Sequence, residues 1–145
     1  MAQSSEYPDL RWVAPASYSS GRPGGKPRFI VIHTTEGSSH SQSAEDGATY
    51  DARRTDGTST HYFIDDSSVV QCVRTTDRAH TAGYTGNMWG IQYELCAKAG
   101  YGSAWWSGGS YALAMLRRAA GQAAKDATRY GIAVKRITPA DLKAG

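Results

Sequence analysis

Long apolar runs are missing from this 145-residue chain. No stretch reaches the roughly 18 uninterrupted apolar residues that a helical membrane span needs. The start, Met1-Ala2-Gln3-Ser4-Ser5-Glu6, has neither the basic opening nor the apolar centre of a secretory signal. Cysteine is scarce: Cys72 and Cys96 stand alone, both in apolar, strand-like surroundings, so buried free thiols are expected and a disulfide is not indicated. There is no CxxC pair, no zinc-finger spacing, no HExxH or HxxxH, and no GxSxG nucleophile elbow. Charge of one sign is lacking too. Sixteen basic residues face 13 acidic ones for a net +3, and the basic residues are scattered. A nucleic-acid-binding face would need a denser stripe, so no nucleic-acid partner is expected.

What is present fits one globular domain, with 40% apolar and 20% charged residues and 16 glycines marking a loop-rich molecule. Residues 1–27, rich in Pro, Ser, Gly and Arg, read as an extended arm wrapping a domain that spans 28–145. The run Phe29-Ile30-Val31-Ile32 reads as a strand buried on both faces, and it ends abruptly in His33-Thr34-Thr35-Glu36-Gly37. Ser43 would cap a short helix reaching about Arg54, weakened by Gly47. Two β-rich runs flank Asp65-Asp66-Ser67-Ser68 and predict a hairpin. Residues 74–89 read as polar, glycine-bearing chain. Gly90–Cys96 alternates, with Ile91, Tyr93 and Leu95 on one face and Gln92 and Glu94 on the other. A Gly/Trp-rich loop then leads to the clearest helix, Ser110 to Tyr130, whose packing face is predicted at Leu113, Leu116, Ala120, Ala123, Ala127 and Tyr130, with Gly131 as its stop. Residues 132–137 read as a short strand or extended link, and Thr138-Pro139-Ala140-Asp141 as another helix start.

Three histidines fall in structured contexts: His33, His61 and His80; His40 sits in a serine-rich loop. A neutral imidazole at a strand end is a natural metal ligand or general base. Glu94 interrupts an apolar strand, and acids are rarely buried without a partner or a task. It faces either a crevice shared with His33, as a general base of raised pKa, or solvent on an edge strand; spacing alone leaves both open. A site built from His33, His61 and His80 has no local spacing that guarantees convergence.

Together, Ile30-Val31-Ile32-His33-Thr34-Thr35, Thr60-His61-Tyr62-Phe63-Ile64, Val70-Gln71-Cys72, Ala79-His80-Thr81-Ala82-Gly83 and Asn87–Leu95 resemble the zinc-dependent N-acetylmuramoyl-L-alanine amidases of the peptidoglycan-recognition-protein and phage-lysozyme type. The resemblance is strongest to endolysin amidase domains of actinobacteria phages. It implies an α/β fold, a mixed central β-sheet flanked by helices. It also implies a zinc cofactor, with His33 as a metal ligand and Glu94 as the catalytic base. His61, His80, Thr35 and Asn87 would lie along the substrate groove. The bond cut would be the amide between N-acetylmuramic acid and the L-alanine of the stem peptide, and the partner the peptidoglycan of the bacterial cell wall. Such a protein is made in the host cytoplasm without a signal peptide and acts at the wall after release. Two departures stand out. Gln92 replaces a family glycine, and the family's other two zinc ligands, which follow the helix near Thr138, are absent from the sequence. The expectation is therefore a C-terminally truncated domain, prone to self-association through an exposed sheet edge. The alternative is a catalytically silent peptidoglycan-binding module.

Overall fold

The computed structural model describes residues 3–144, with side chains described as far as Asp141. Its elements are β1 (Arg11–Trp12), β2 (Phe29–Thr34), α1 (Ser43–Asp51), β3 (Tyr62–Ile64), β4 (Val69–Gln71), α2 (Gly83–Trp89), β5 (Gly90–Leu95), α3 (Ser103–Gly108), α4 (Ser110–Tyr130) and α5 (Pro139–Ala144). The sheet order is β1-β4-β3-β5-β2. β3 and β4 form the expected antiparallel hairpin, while β2 and β3 both run parallel to β5. This is the expected mixed sheet, with α4 packed on one face and α1 on the other. Among the described residues no helix is long and apolar enough to cross a membrane.

Alternation along β5 sorts the two faces. Ile91, Tyr93 and Leu95 join Tyr62, Ile64, Met115 and Ala119 in the core under α4. The smaller core under α1 holds Ala44, Ala48, Phe63 and Val70 together with Cys72 and Cys96, both free thiols. Gly47 belongs here because α1 lies almost on Phe63: a Cβ at that position would sit 2.7 Å from the ring. The glycine that weakens the helix by propensity is what allows this close approach.

Several local readings shift. Ser43 is the first residue of α1 rather than its cap, and its hydroxyl accepts the His40 N–H. The acceptor for the first turn comes from the hairpin: Asp65 takes the Ala44 N–H at 3.0 Å and, through its other oxygen, the N–H groups of Ser67 and Ser68. β1, α2 and α3 form where the sequence reads as arm or loop, and no strand forms over 132–137. β2 is an edge strand, not buried on both faces; Ile32 is 53% exposed. Gly131 does end α4, at φ 67°.

Of the predicted packing face of α4, Leu116, Ala123 and Tyr130 are half-buried against the core, and the buried stripe lies one position away. It consists of Ala112, Met115, Ala119, Gln122 and Asp126. Asp126 is fully buried and accepts the hydroxyls of Tyr7 (2.5 Å), Tyr62 (3.3 Å) and Tyr93 (2.5 Å). The same cluster docks the arm. Glu6 accepts the Gln71 amide and the Thr75 N–H and hydroxyl, and pairs with Arg129 at 3.3 Å.

Asp126→Ala removes the acceptor of three hydroxyls at once and is expected to cost about 3–5 kcal/mol, since buried donors left unpaired lose their full hydration. Asp126→Asn, which retains one acceptor oxygen, is expected to cost less. Urea unfolding of both variants checks this, and equal stability of Asp126→Ala and wild type contradicts it.

Candidate active site

The parallel ladder between β2 and β5 sets His33 directly opposite Glu94 and Val31 opposite Gln92. Side chains of register partners in a parallel pair share a face, so His33, Gln92 and Glu94 lie on the α1 side of the sheet. β5 is an interior strand, which settles the choice for Glu94 against the solvent-facing edge. Between the carboxyl ends of these strands and α1 opens a groove of about 330 Å³, bordered by Thr35, Asp46, Tyr50, Asp51, Arg54 and Glu94 among others. Crevices at strand ends are where α/β sheets place ligands. The turn leaving β2 at its rim is held by Glu36, at φ 56°, whose carboxylate accepts the Ala99 N–H at 2.7 Å.

Glu94 is not alone. Asp51, at the end of α1, is 2% exposed and borders the same groove. One oxygen of each carboxyl, Glu94 Oε2 and Asp51 Oδ2, is buried without a hydrogen-bond partner. Burial first, and then the charge of Asp51, pushes Glu94 up to about 7; Arg54 opposes this. Burial likewise raises Asp51 to about 6 against the pull of Arg54, which approaches it at 4.0 Å. Sequence reasoning missed Asp51. The signal was there: Ala44, Ala48 and Asp51 share one helical face, all three buried.

Thr35 borders the groove as expected. The other three groove residues do not. His61 is fully buried; its Nδ1 accepts the Gln92 N–H at 2.9 Å and its Nε2 lies 3.2 Å from the Asp77 carbonyl. Because Gln92 N–H can only donate, Nδ1 must hold the lone pair and Nε2 the proton. Burial, with Arg22 beside it, depresses its pKa to about 3, so it stays neutral. His80 spends its ring nitrogens on Ser19 Oγ (2.9 Å) and the Gly57 carbonyl (3.1 Å). Asn87 accepts the N–H groups of Thr81 and Ala82 at the start of α2. All three fasten chain segments together, a role that residue type alone does not reveal.

Among the described residues no three His, Cys, Asp or Glu side chains are grouped to hold a metal ion. His33 supplies one imidazole, and the occupied rings of His61 and His80 do not join it. The described residues therefore do not assemble the donor set of a zinc site, which takes three or four ligands.

A protein-family model described as N-acetylmuramoyl-L-alanine amidase, Amidase_2, matches residues 23–141. The chain belongs to this family. No curated protein matches it. Among solved structures it is similar to the catalytic domain of XlyA, at 20% identity and TM-score 0.65, covering 86% of this chain and 79% of that one. It is similar to AmpD at 22% identity and TM-score 0.63, covering 95% and 94%. The Staphylococcus aureus hydrolase AmiA, solved with its ligand, gives 19% identity and TM-score 0.65, covering 87% and 58%. At such identities these likenesses establish the shared fold.

A buried carboxyl whose folded pKa is raised stabilises the fold below its ordinary value, here 4.5 for Glu94, and loses that contribution as pH rises through about 7. Glu94→Gln is therefore expected to stabilise the protein at pH 8 by ~1–2 kcal/mol, with the gain vanishing near pH 4. Urea unfolding at both pH values, with a chelator present, checks this; a variant less stable than wild type at pH 8 contradicts it.

Proposed function

We propose that this amidase-family chain hydrolyses the amide between N-acetylmuramic acid and the L-alanine of the peptidoglycan stem peptide, with Glu94 as the proton-transferring group. The observation that carries the reading is a carboxyl pushed up to about 7, lining an open groove and paired in strand register with a histidine. Deprotonated, Glu94 takes a proton from the attacking water; protonated, it returns one to the departing alanine amine. A pKa near neutrality suits both halves of that exchange. Asp51 keeps Glu94 from ionising too readily, and Thr35 offers a hydroxyl at the rim to orient the substrate.

Zinc dependence is what the resemblance implies, and His33 would contribute one donor. The described residues do not complete the set, so no step here runs through the metal. The same shortfall supports a second reading, a module that binds peptidoglycan without cleaving it. Expression by a phage and action on the host wall from within belong to the first reading as an endolysin.

Incubating purified walls with the chain separates the two. Release of stem peptides with new L-alanine amino termini, lowered about 10²–10⁴-fold in Glu94→Gln while wall binding persists, is the expected outcome. Wall binding by the wild-type chain without peptide release identifies the silent module.

A further inference from the structure

Gln92 is fully buried beside His33, and its amide can be oriented without ambiguity. Its Nε2 lies 2.7 Å from the Gly86 carbonyl, which only accepts, so that end carries the NH₂. The other end, Oε1, then faces His33 Nε2 at 2.8 Å. A carbonyl oxygen cannot donate, so the proton of a neutral His33 must sit on Nε2. Among the described residues no hydrogen bond reaches His33 Nδ1.

The backbone of Gln92 is fixed just as firmly. Its N–H is taken by His61 Nδ1 and its carbonyl by the Thr60 hydroxyl at 3.1 Å. His61 is in turn set by Nε2–H donation to the Asp77 carbonyl. Arg22 closes around the same point, with Nη2 donating to the Gly90 carbonyl at 3.0 Å and Nε to the Thr75 carbonyl at 2.7 Å. Arg22 Nη2 also approaches His61 Nε2, at 3.1 Å. The amide of Gln92, and through it His33, takes its orientation from the Gly86 carbonyl, a backbone group that can only accept.

We propose that Gln92 is a positioning residue that locks His33 in its Nε2–H tautomer and leaves Nδ1 as the ring's single lone pair, on the strand position opposite Glu94. A ring held this way presents its lone pair through Nδ1 alone, in one orientation. Histidines at reactive sites are commonly held by such an outer partner, and removing it typically costs about 10–100-fold in affinity or activity. The consequence for hydrolysis rests on the function proposed above; the tautomer assignment does not.

Proton–nitrogen NMR of the ¹⁵N-histidine-labelled chain at pH 8 reads the tautomer directly. The expected result is a His33 Hε2 signal, sharp because its hydrogen bond slows exchange with water, beside that of His61 as internal control. In Gln92→Leu, which keeps bulk but offers no acceptor, the His33 signal is lost and the His61 signal stays. Gln92→Gly serves if the leucine variant does not fold. A proton on Nδ1 in the wild type, or a His33 Hε2 signal unchanged in the folded variant, overturns the proposal. On peptidoglycan, the variant is expected to lower kcat about 10–100-fold with little change in KM; unaltered kcat overturns the positioning role. Absence of hydrolysis by the wild type overturns the amidase reading instead, and leaves the tautomer result to be judged by NMR.

Discussion

The parallel pairing of β2 with β5 is the constraint on which the rest depends. Six residue pairs, from Phe29 opposite Gly90 to Thr34 opposite Leu95, fix which side chains go to which face. With period two, Ile30, Ile91 and Tyr93 must share the α4 side, and His33, Gln92 and Glu94 the α1 side. A slip of one residue would bury the polar set in the core and expose the apolar one. The register is therefore enforced by the hydrophobic core on one face, and the site on the other inherits its geometry.

Around that ladder the structure uses buried polar groups as fasteners, each satisfied by groups distant in sequence. Asp126 gathers three tyrosine hydroxyls from the arm and two strands. Asp65 ties the hairpin to the start of α1. His61 takes a backbone N–H of β5 that no neighbouring strand accepts. Fully satisfied networks of this kind specify one arrangement, because any alternative leaves a buried donor or acceptor bare. Among the described residues some buried oxygens do lack a hydrogen-bond partner, at Glu6, Ser39, Glu45 and Asp66 as well as at Glu94 and Asp51; the last two share one groove. What sets that pair apart is that both carboxyls are also raised by burial, and raised pKa values cluster at functional sites.

The positions where sequence reasoning went astray share a cause. On α4 apolarity predicts a face of which Leu116, Ala123 and Tyr130 do pack against the core, while the buried stripe lies one residue earlier and includes Gln122 and Asp126. A buried acid is unreadable along the chain when its partners lie at Tyr7, Tyr62 and Tyr93. His61, His80 and Asn87 stand out as functional residue types, yet their polar atoms meet backbone groups, hydroxyls and, for His61, the Arg22 guanidinium. Asp51 does not stand out, because a lone acid closing a short helix looks like surface.

The mixed α/β sheet, the hairpin, the alternation of β5 and the stop at Gly131 are all legible in the sequence. These follow from local periodicity, turn chemistry and motif order, all of which are written within a few residues of one another. Tertiary structure alone decided that β2 lies at an edge, that Asp51 stands beside Glu94, and that Gln92 holds the proton of His33 on Nε2. Those outcomes depend on which distant groups meet in low dielectric, where each polar atom must find a partner or shift its protonation.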